Sequence, residues 1–264
     1  MRLIKILLFS CFLFLNFSLT VLTTYSLLET ANLNQPPIRV GEILTYNVKI
    51  AGLSAGTQIT KVVKETMLDG QPVYHITSET QSGSVFGKLY HFRDWTESYI
   101  TTDQLYPLKH VKDLEDRKYK ARVEVDFNHG KGTAQYSKNQ HKKSLKISVG
   151  IQDELSMVYF LRSKQLKVGQ TYRFPVLVRD KPQNVDLTIY RREVIKTEAL
   201  GRVETLALRT SHGHLMWLTN DDRRIPVRIE ADIPVGKLVG TLEKVGFVRV
   251  GEKIEDTEVP KPGN

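Results

Sequence analysis

The chain has 264 residues, 41% of them hydrophobic and 25% charged, ample for one large domain or two small ones. Cys11 is its only cysteine, which excludes an internal disulfide as a staple. The formal net charge of +9 suits anionic neighbours; in an exported chain these are lipid head groups, lipopolysaccharide or acidic polymers and not nucleic acid, although a merely soluble basic surface is the simpler account.

The sequence opens with MRLIK and then runs uncharged from Ile6 to Leu28, with ILLFSCFLFLNF as its most apolar part. A basic segment ahead of an apolar one has the layout of a secretory signal. The run is also long enough to cross a hydrocarbon layer of about 30 Å, so residues 1–28 are read as a cleaved signal peptide or as an N-terminal anchor that contacts the membrane if uncleaved. Either way the remainder is expected outside the cytoplasm, in a periplasm or cell envelope. Residues 29–37, within which TANLNQPP falls, read as a linker.

In RVGEILTYNVKI, Leu44, Tyr46, Val48 and Ile50 alternate with polar residues, the period of a half-buried strand. The segment KVGQTYRFPVLV repeats this 128 positions downstream, with Tyr172, Phe174, Val176 and Val178 in the alternating places. Pro175 stands where the first copy has Asn47 and removes a backbone donor, which predicts an edge or bulged strand. VYHITSETQSG at Val73 and VETLALRTSHG at Val203 form a second, weaker match at an offset of 130. TTDQLYPLKH and TNDDRRIPVRI form a third, with Thr101, Asp103 and Pro107 matching Thr219, Asp221 and Pro226 after a one-residue insertion. Threonine and aspartate oxygens accept backbone N–H groups in tight turns and proline fixes φ on leaving them, so this motif reads as hairpin punctuation.

Further alternating runs, RVEVDF, VDLTIY and VRIEADI, have aliphatic residues on one face and charges on the other. One segment differs: GIQDELSMVYFLRSKQL has helical spacing at Leu155, Val158, Tyr159 and Leu161 or Arg162, with Asp153 as its cap, which predicts a helix over about 153–165. The fold expected is mainly β, an antiparallel curved sheet or partial barrel spanning 38–250. It is built from tandem half-repeats over about 38–149 and 167–250 with that helix between them. Residues 251–264 are polar, without periodicity, and are expected to be a disordered tail.

The blocks GEILTYNVKIAGLSAGT, FRDWTESYI, GIQDELSMVYFLRSKQLKVGQTYRFPV and MWLTNDDRRIPVRIEADIPVGKLVGTLE resemble the bacterial domain of unknown function 3108 family, whose members are exported and β-rich. That resemblance implies a bacterial envelope location and brings no activity and no catalytic residues. The tryptophan strand, aspartate turn and proline strand of the last block are also similar to the half-open barrels of envelope lipoprotein carriers.

No set of acid, base and nucleophile is evident, and neither a phosphate loop nor a cofactor motif is present, so binding is favoured over catalysis. His212 and His214 have a spacing that two metal-ligating imidazoles can use, but no third ligand lies near, and Gly213 favours a turn; no metal is expected. In HFRDWTESY, Arg93, Trp95, Glu97 and Tyr99 share one strand face, either as a lining for an anionic ligand or as a cross-strand ion pair covered by a ring. The function expected is a carrier or binding module for an amphiphilic or anionic envelope molecule, an anionic lipid, lipopolysaccharide or an acylated protein, held on the concave face of the sheet. Tyr46, Phe174 and Trp217 would wall it, Tyr159 would approach from the helix, and Arg93, with Trp95 beside it, or Arg162 would meet the head group. A structural envelope factor recruiting protein partners is the alternative, and a hydrolase whose site is assembled from residues distant in sequence is a further one.

Overall fold

The computed structural model describes residues 38–248; the segments 1–28, 29–37 and 251–264 lie outside the described residues. The first half of the chain forms β1 (Glu42–Ile50), β2 (Leu53–Leu68), β3 (Gln71–Ser82), a short helix α1 (Ser84–Leu89), β4 (Phe92–Thr101), β5 (Pro107–Asp116), β6 (Tyr119–Asn128), β7 (Thr133–Lys138) and β8 (His141–Lys146). Helix α2 (Ser156–Arg162) leads into β9 (Thr171–Val178), β10 (Lys181–Thr197), β11 (Gly201–Thr210), β12 (Leu215–Thr219), β13 (Pro226–Ile233) and β14 (Gly236–Phe247). All fourteen strands lie in one antiparallel sheet. Sequential strands pair within each half, β1 pairs with β14 to join the halves, and β8 and β9 are the outer strands of the unclosed sheet.

Because every neighbouring pair is antiparallel, successive turns fall on opposite rims of the sheet. The turns β1–β2, β3–β4, β5–β6, β7–β8, β9–β10, β11–β12 and β13–β14 share one rim. The opposite rim carries the remaining turns, the entry to β1 and the exit from β14.

The sequence repeat is visible in the hydrogen bonds. Gly41 and Gly169 both have φ near +88°, a left-handed conformation that glycine adopts without a Cβ penalty. Their N–H groups donate to Val62 and Ile189 at 2.8 and 2.7 Å, beside matching register shifts in β2 and β10. At the punctuation motif, Thr101 N–H donates to Tyr106 and Thr219 N–H to Ile225, both at 2.9 Å, and each threonine Oγ1 accepts the return bond from the same residue. Asp221 Oδ1 also accepts from the backbone of Arg223 and Arg224. Both aspartates are turn residues. Thus β1–β6 and β9–β14 are equivalent six-strand meanders, and the β7–β8 hairpin belongs to the first half alone.

One alignment shifts. The carbonyls of Pro72 and Glu204 accept from Thr102 and Asn220 at equivalent places, so the offset between β3 and β11 is 132 and not 130. A slip of two residues preserves the faces of a strand, so the alternation in the sequence is blind to it. Pro175 lies on outer strand β9, where its missing N–H breaks no ladder.

The helix is shorter than the 153–165 expected. Asp153 Oδ1 accepts the N–H groups of Leu155 and Ser156 at 2.8 and 2.7 Å, holding the segment before Ser156 in a capped turn. Helix α2 buries almost every side chain, Met157 and Leu161 against Phe174, Leu187 and Leu206, and Tyr159 against Ile76 and Ile100. Burial all round identifies an internal helix and not a surface connector. Helix α1 is an element the sequence analysis did not expect; Phe86 packs it against Val48, Ile50 and Leu238.

The seam between β8 and β9 is closed in part. Ile147 N–H donates to Gly132, Gln152 bridges to β9 through Pro175 O and Leu177 N–H, and Lys143 pairs with Asp180 across the gap.

Helix and barrel are tied at one buried ion pair. Arg162, 2% exposed, gives two hydrogen bonds to the Glu42 carboxylate at 2.6 and 2.8 Å and a third to Arg223 O at 3.1 Å. Desolvation opposes the guanidinium charge, but Glu42 more than offsets it, so the Arg162 pKa is raised. Breaking such a pair leaves an uncompensated charge. Arg162→Met is therefore expected to lower the unfolding free energy by about 3–5 kcal/mol, and Glu42→Leu added to it to restore most of the loss, measured by urea unfolding followed by circular dichroism.

Candidate ligand cavity

Strand β4 places Asp94, Thr96 and Ser98 on the inner face and Arg93, Trp95, Glu97 and Tyr99 on the other, as their alternation predicts. Inside, Lys112 bridges Asp94 and Glu154 at 2.9 and 2.6 Å. Ser98 donates to Asp153 Oδ2 at 2.5 Å, and His110 Nδ1 lies 3.6 Å from the same oxygen. Burial pushes the Asp94 carboxyl above its ordinary value. Burial alone would raise Asp153 too, but His110, Ser98 and the Ser156 backbone hold it below the usual carboxylate range. Desolvation lowers His110, and Asp153 outweighs it, so the imidazole pKa is raised. The Ser98 hydroxyl donates its hydrogen bond to the carboxylate and not to the imidazole. The segment leading into α2 and the sheet are joined here by charge.

This cluster floors a cavity of about 650 Å³ enclosed by β5–β8 and the end of β9. Register explains its layers. Leu114 pairs with Ala121, Lys112 with Val123, Val123 with Lys138, and His110 with Val125, which in turn faces Tyr136. Apolar side chains therefore form the wall, Leu177 adding the β9 side, while Phe127, Ile147 and Ile151 pack together at the far end. Toward the rim that carries the β5–β6 and β7–β8 turns, the lining becomes Tyr119, Lys138, His141, Lys142 and Arg179, with Asp116 and the Lys143–Asp180 pair among them. A second cavity of about 70 Å³ beside α2, lined by Tyr46, Thr80, Tyr159 and Arg162 among others, has room only for a few waters.

The five residues expected to bind ligand are not brought together, and none lines the larger cavity. Arg93 pairs with Glu79 at 2.7 Å on the outer face of β4. Trp95 donates from Nε1 to Glu97 at 2.9 Å, while His75 binds Glu97 at 3.0 Å and stacks on Tyr99; the hydrogen bond from His75 is the main reason the Glu97 carboxyl is held down at about 2. The cross-strand reading of this face therefore describes it. Trp217 alternates with Met216 and Leu218, which pack in the α2 cluster, and so points the other way, bonded to Glu193 and covered by Arg228. Tyr159 and Arg162 do share a space with Tyr46, but the Arg162 charge is taken by Glu42. Phe174 packs against Phe160 in the core.

The residues missed, His110, Lys112 and Asp153, carried a faint signal. In β5, His110, Lys112 and Leu114 occupy alternate positions, and charged residues at the inward period of a strand mark an interior that is not dry. Among the described residues, no group of three His, Cys, Asp or Glu side chains is placed to hold a metal ion.

The molecule is thus an open antiparallel β-barrel with an internal helix and a side cavity. It belongs to the DUF3108 family, described as a protein of unknown function, the match running over residues 45–243. The fold is also similar to that of a beta-barrel-like protein of domain of unknown function DUF1849 from Brucella abortus, with 11% sequence identity and a TM-score of 0.55 over 80% of this chain and 98% of that one. No match was found among curated proteins.

The His110–Asp153 contact sets a pH dependence. A lowered folded pKa for Asp153 contributes stability that is present above its unfolded value, about 3.9, and lost as pH falls through the folded pKa; a raised one for His110 contributes stability present below about 6.5 and lost as pH rises through its folded pKa. The difference in melting temperature between the native chain and His110→Gln is expected to be largest between about pH 4 and 6.5 and to shrink on either side, measured by thermal unfolding across pH.

Proposed function

We propose that this chain is an exported, non-enzymatic binding module of the cell envelope that carries an amphiphilic, anionic molecule, a lipid or the acyl chain of a modified protein. The observation that carries this reading is the 650 Å³ cavity, apolar in its wall and lined toward its rim by more cations (Lys138, Lys142, Lys143, Arg179) than carboxylates (Asp116, Asp180). Its volume lies within the roughly 300–1,000 Å³ usual for small-molecule pockets. An acyl chain would lie along Leu114, Ala121, Val125 and Leu177, with its head group toward Lys138 and Lys142. The export signal read in the first 28 residues supports the envelope setting.

The test uses dodecanoate, dodecyl phosphate and uncharged dodecyl maltoside as probes. At a hundredfold excess over its dissociation constant, a bound probe stabilises the fold by about 2.7 kcal/mol, or roughly 5–10 °C in a chain of this size. The anionic probes are expected to raise the melting temperature in the native chain and to lose that effect in Leu114→Trp and Ala121→Trp, which fill the cavity. Lys138→Gln with Lys142→Gln should weaken the anionic probes and leave the maltoside unchanged. No stabilisation by any probe, with no lipid co-purifying from native envelopes, overturns the proposal.

A further inference from the structure

Away from its rim, the larger cavity is apolar on one side and polar on the other. Strand β6 and the end of β9 give it Ala121, Val123, Val125 and Leu177, whereas β5 and the segment leading into α2 give it His110, Lys112, Asp153 and Glu154. Most of the bonding capacity on the polar side is used internally, Lys112 on Asp94 and Glu154, and Asp153 on Ser98 and the N–H groups of Leu155 and Ser156. Two groups are left over. His110 is 7% exposed; its Nδ1 lies 3.6 Å from Asp153 without a hydrogen bond, and its Nε2 has no hydrogen-bond partner among the described residues. Glu154 accepts from Lys112 and Thr96 with Oε1 alone, which leaves Oε2 as an acceptor. Both residues line the cavity, and His110 pairs across the β5–β6 ladder with Val125 of the apolar wall.

Polar groups beside an apolar wall make a demand on the ligand. In water, His110 and Glu154 bond to solvent; an unsubstituted acyl chain that displaces this solvent leaves them unpaired, which costs affinity. A chain with a hydroxyl at their level restores the bonds, since a hydroxyl accepts from an imidazole N–H and donates to a carboxylate oxygen. Charge disfavours the anionic head group at this end. Asp94, Asp153 and Glu154 outnumber Lys112 and His110 here, while Lys138, Lys142, Lys143 and Arg179 outnumber Asp116 and Asp180 toward the rim. The head group and a neutral polar group are thereby assigned to different parts of the cavity.

We infer that the cavity selects an acyl chain that bears a hydroxyl, with His110 as the donor and Glu154 as the acceptor that distinguish it from an unsubstituted chain. The inference rests on the carrier reading and narrows its ligand class. A site with buried polar groups discriminates most strongly against the ligand that lacks the matching group, because its own groups are then left unpaired. His110 and Glu154 thus determine specificity, and the apolar wall supplies the affinity that all acyl chains share.

The test is titration calorimetry of the native chain with dodecanoate and with dodecanoates hydroxylated on the third, sixth, ninth or terminal carbon. One hydroxylated probe of the series is expected to bind about tenfold tighter than dodecanoate, the effect of a hydrogen bond to a charged group. In His110→Leu and in Glu154→Met that preference should fall to within about twofold, the plain chain gaining because it no longer covers an unpaired group. His110→Gln, which keeps a side-chain N–H, should retain part of the preference. The ratio of dissociation constants is the readout, so a general loss of stability moves both probes alike and cancels. Dodecanoate bound with no hydroxylated probe preferred, or a preference unchanged in His110→Leu and Glu154→Met, would overturn the inference and leave the carrier reading standing. Binding of no probe in the series would overturn both.

Discussion

A sheet of fourteen strands curls around more space than its own inward side chains can fill. The structure depends on how that space is occupied. The segment Gly150–Leu166 enters it, and once inside, the segment must satisfy every backbone and charged group it brings. Asp153 accepts the first N–H groups of the helical segment, Gln152 borrows ladder partners from β9, and Arg162 meets Glu42 from the start of β1. These contacts draw both halves of the chain onto one internal element, and the sheet takes its curvature around it. The buried charges contribute placement more than stability, because desolvation cancels most of their attraction.

Duplication supplies the scaffold and asymmetry supplies the cavity. The two six-strand meanders repeat each other down to individual bonds, the left-handed glycines at 41 and 169 and the threonine-anchored turns at 101 and 219. A symmetrical pair would have two like outer edges. The extra hairpin β7–β8 lengthens one half only, so its outer edge comes round toward β9 and leaves a space between them, bounded by the Lys143–Asp180 pair. The cavity is lined mainly by β5–β8, half of which has no counterpart in the second meander. The cavity thus lies where the repeat is broken, and three of the lysines that line it, Lys138, Lys142 and Lys143, lie on the hairpin that breaks it.

In an antiparallel meander every second turn returns to the same rim. The β5–β6, β7–β8 and β9–β10 turns therefore fall at one end of the larger cavity, which is why Tyr119, Lys138, Lys142 and Arg179 line it together although they come from three separate hairpins.

Much of the fold was legible along the chain, because strand alternation, turn chemistry and a repeat are local properties: the inward set Leu44, Tyr46, Val48 and Ile50, the paired threonine–aspartate–proline turns and the break in period near Asp153 all report what their immediate neighbours do. What meets what was not legible. Arg93 and Trp95 share an outer face and Trp217 points away from the helix, since each side of a curved sheet is a different surface and alternation says only that residues share a side. His110 reaches Asp153 across 43 positions, and Lys112 reaches Asp94 across a strand pair and Glu154 across 42 positions. Such contacts are made by curvature and by the helix folded inside it, neither of which leaves a trace in local spacing. Period, turns and duplication were settled by steric and hydrogen-bonding preferences a few residues long; the cavity and its buried charges arose only when the sheet curled around its own connecting segment.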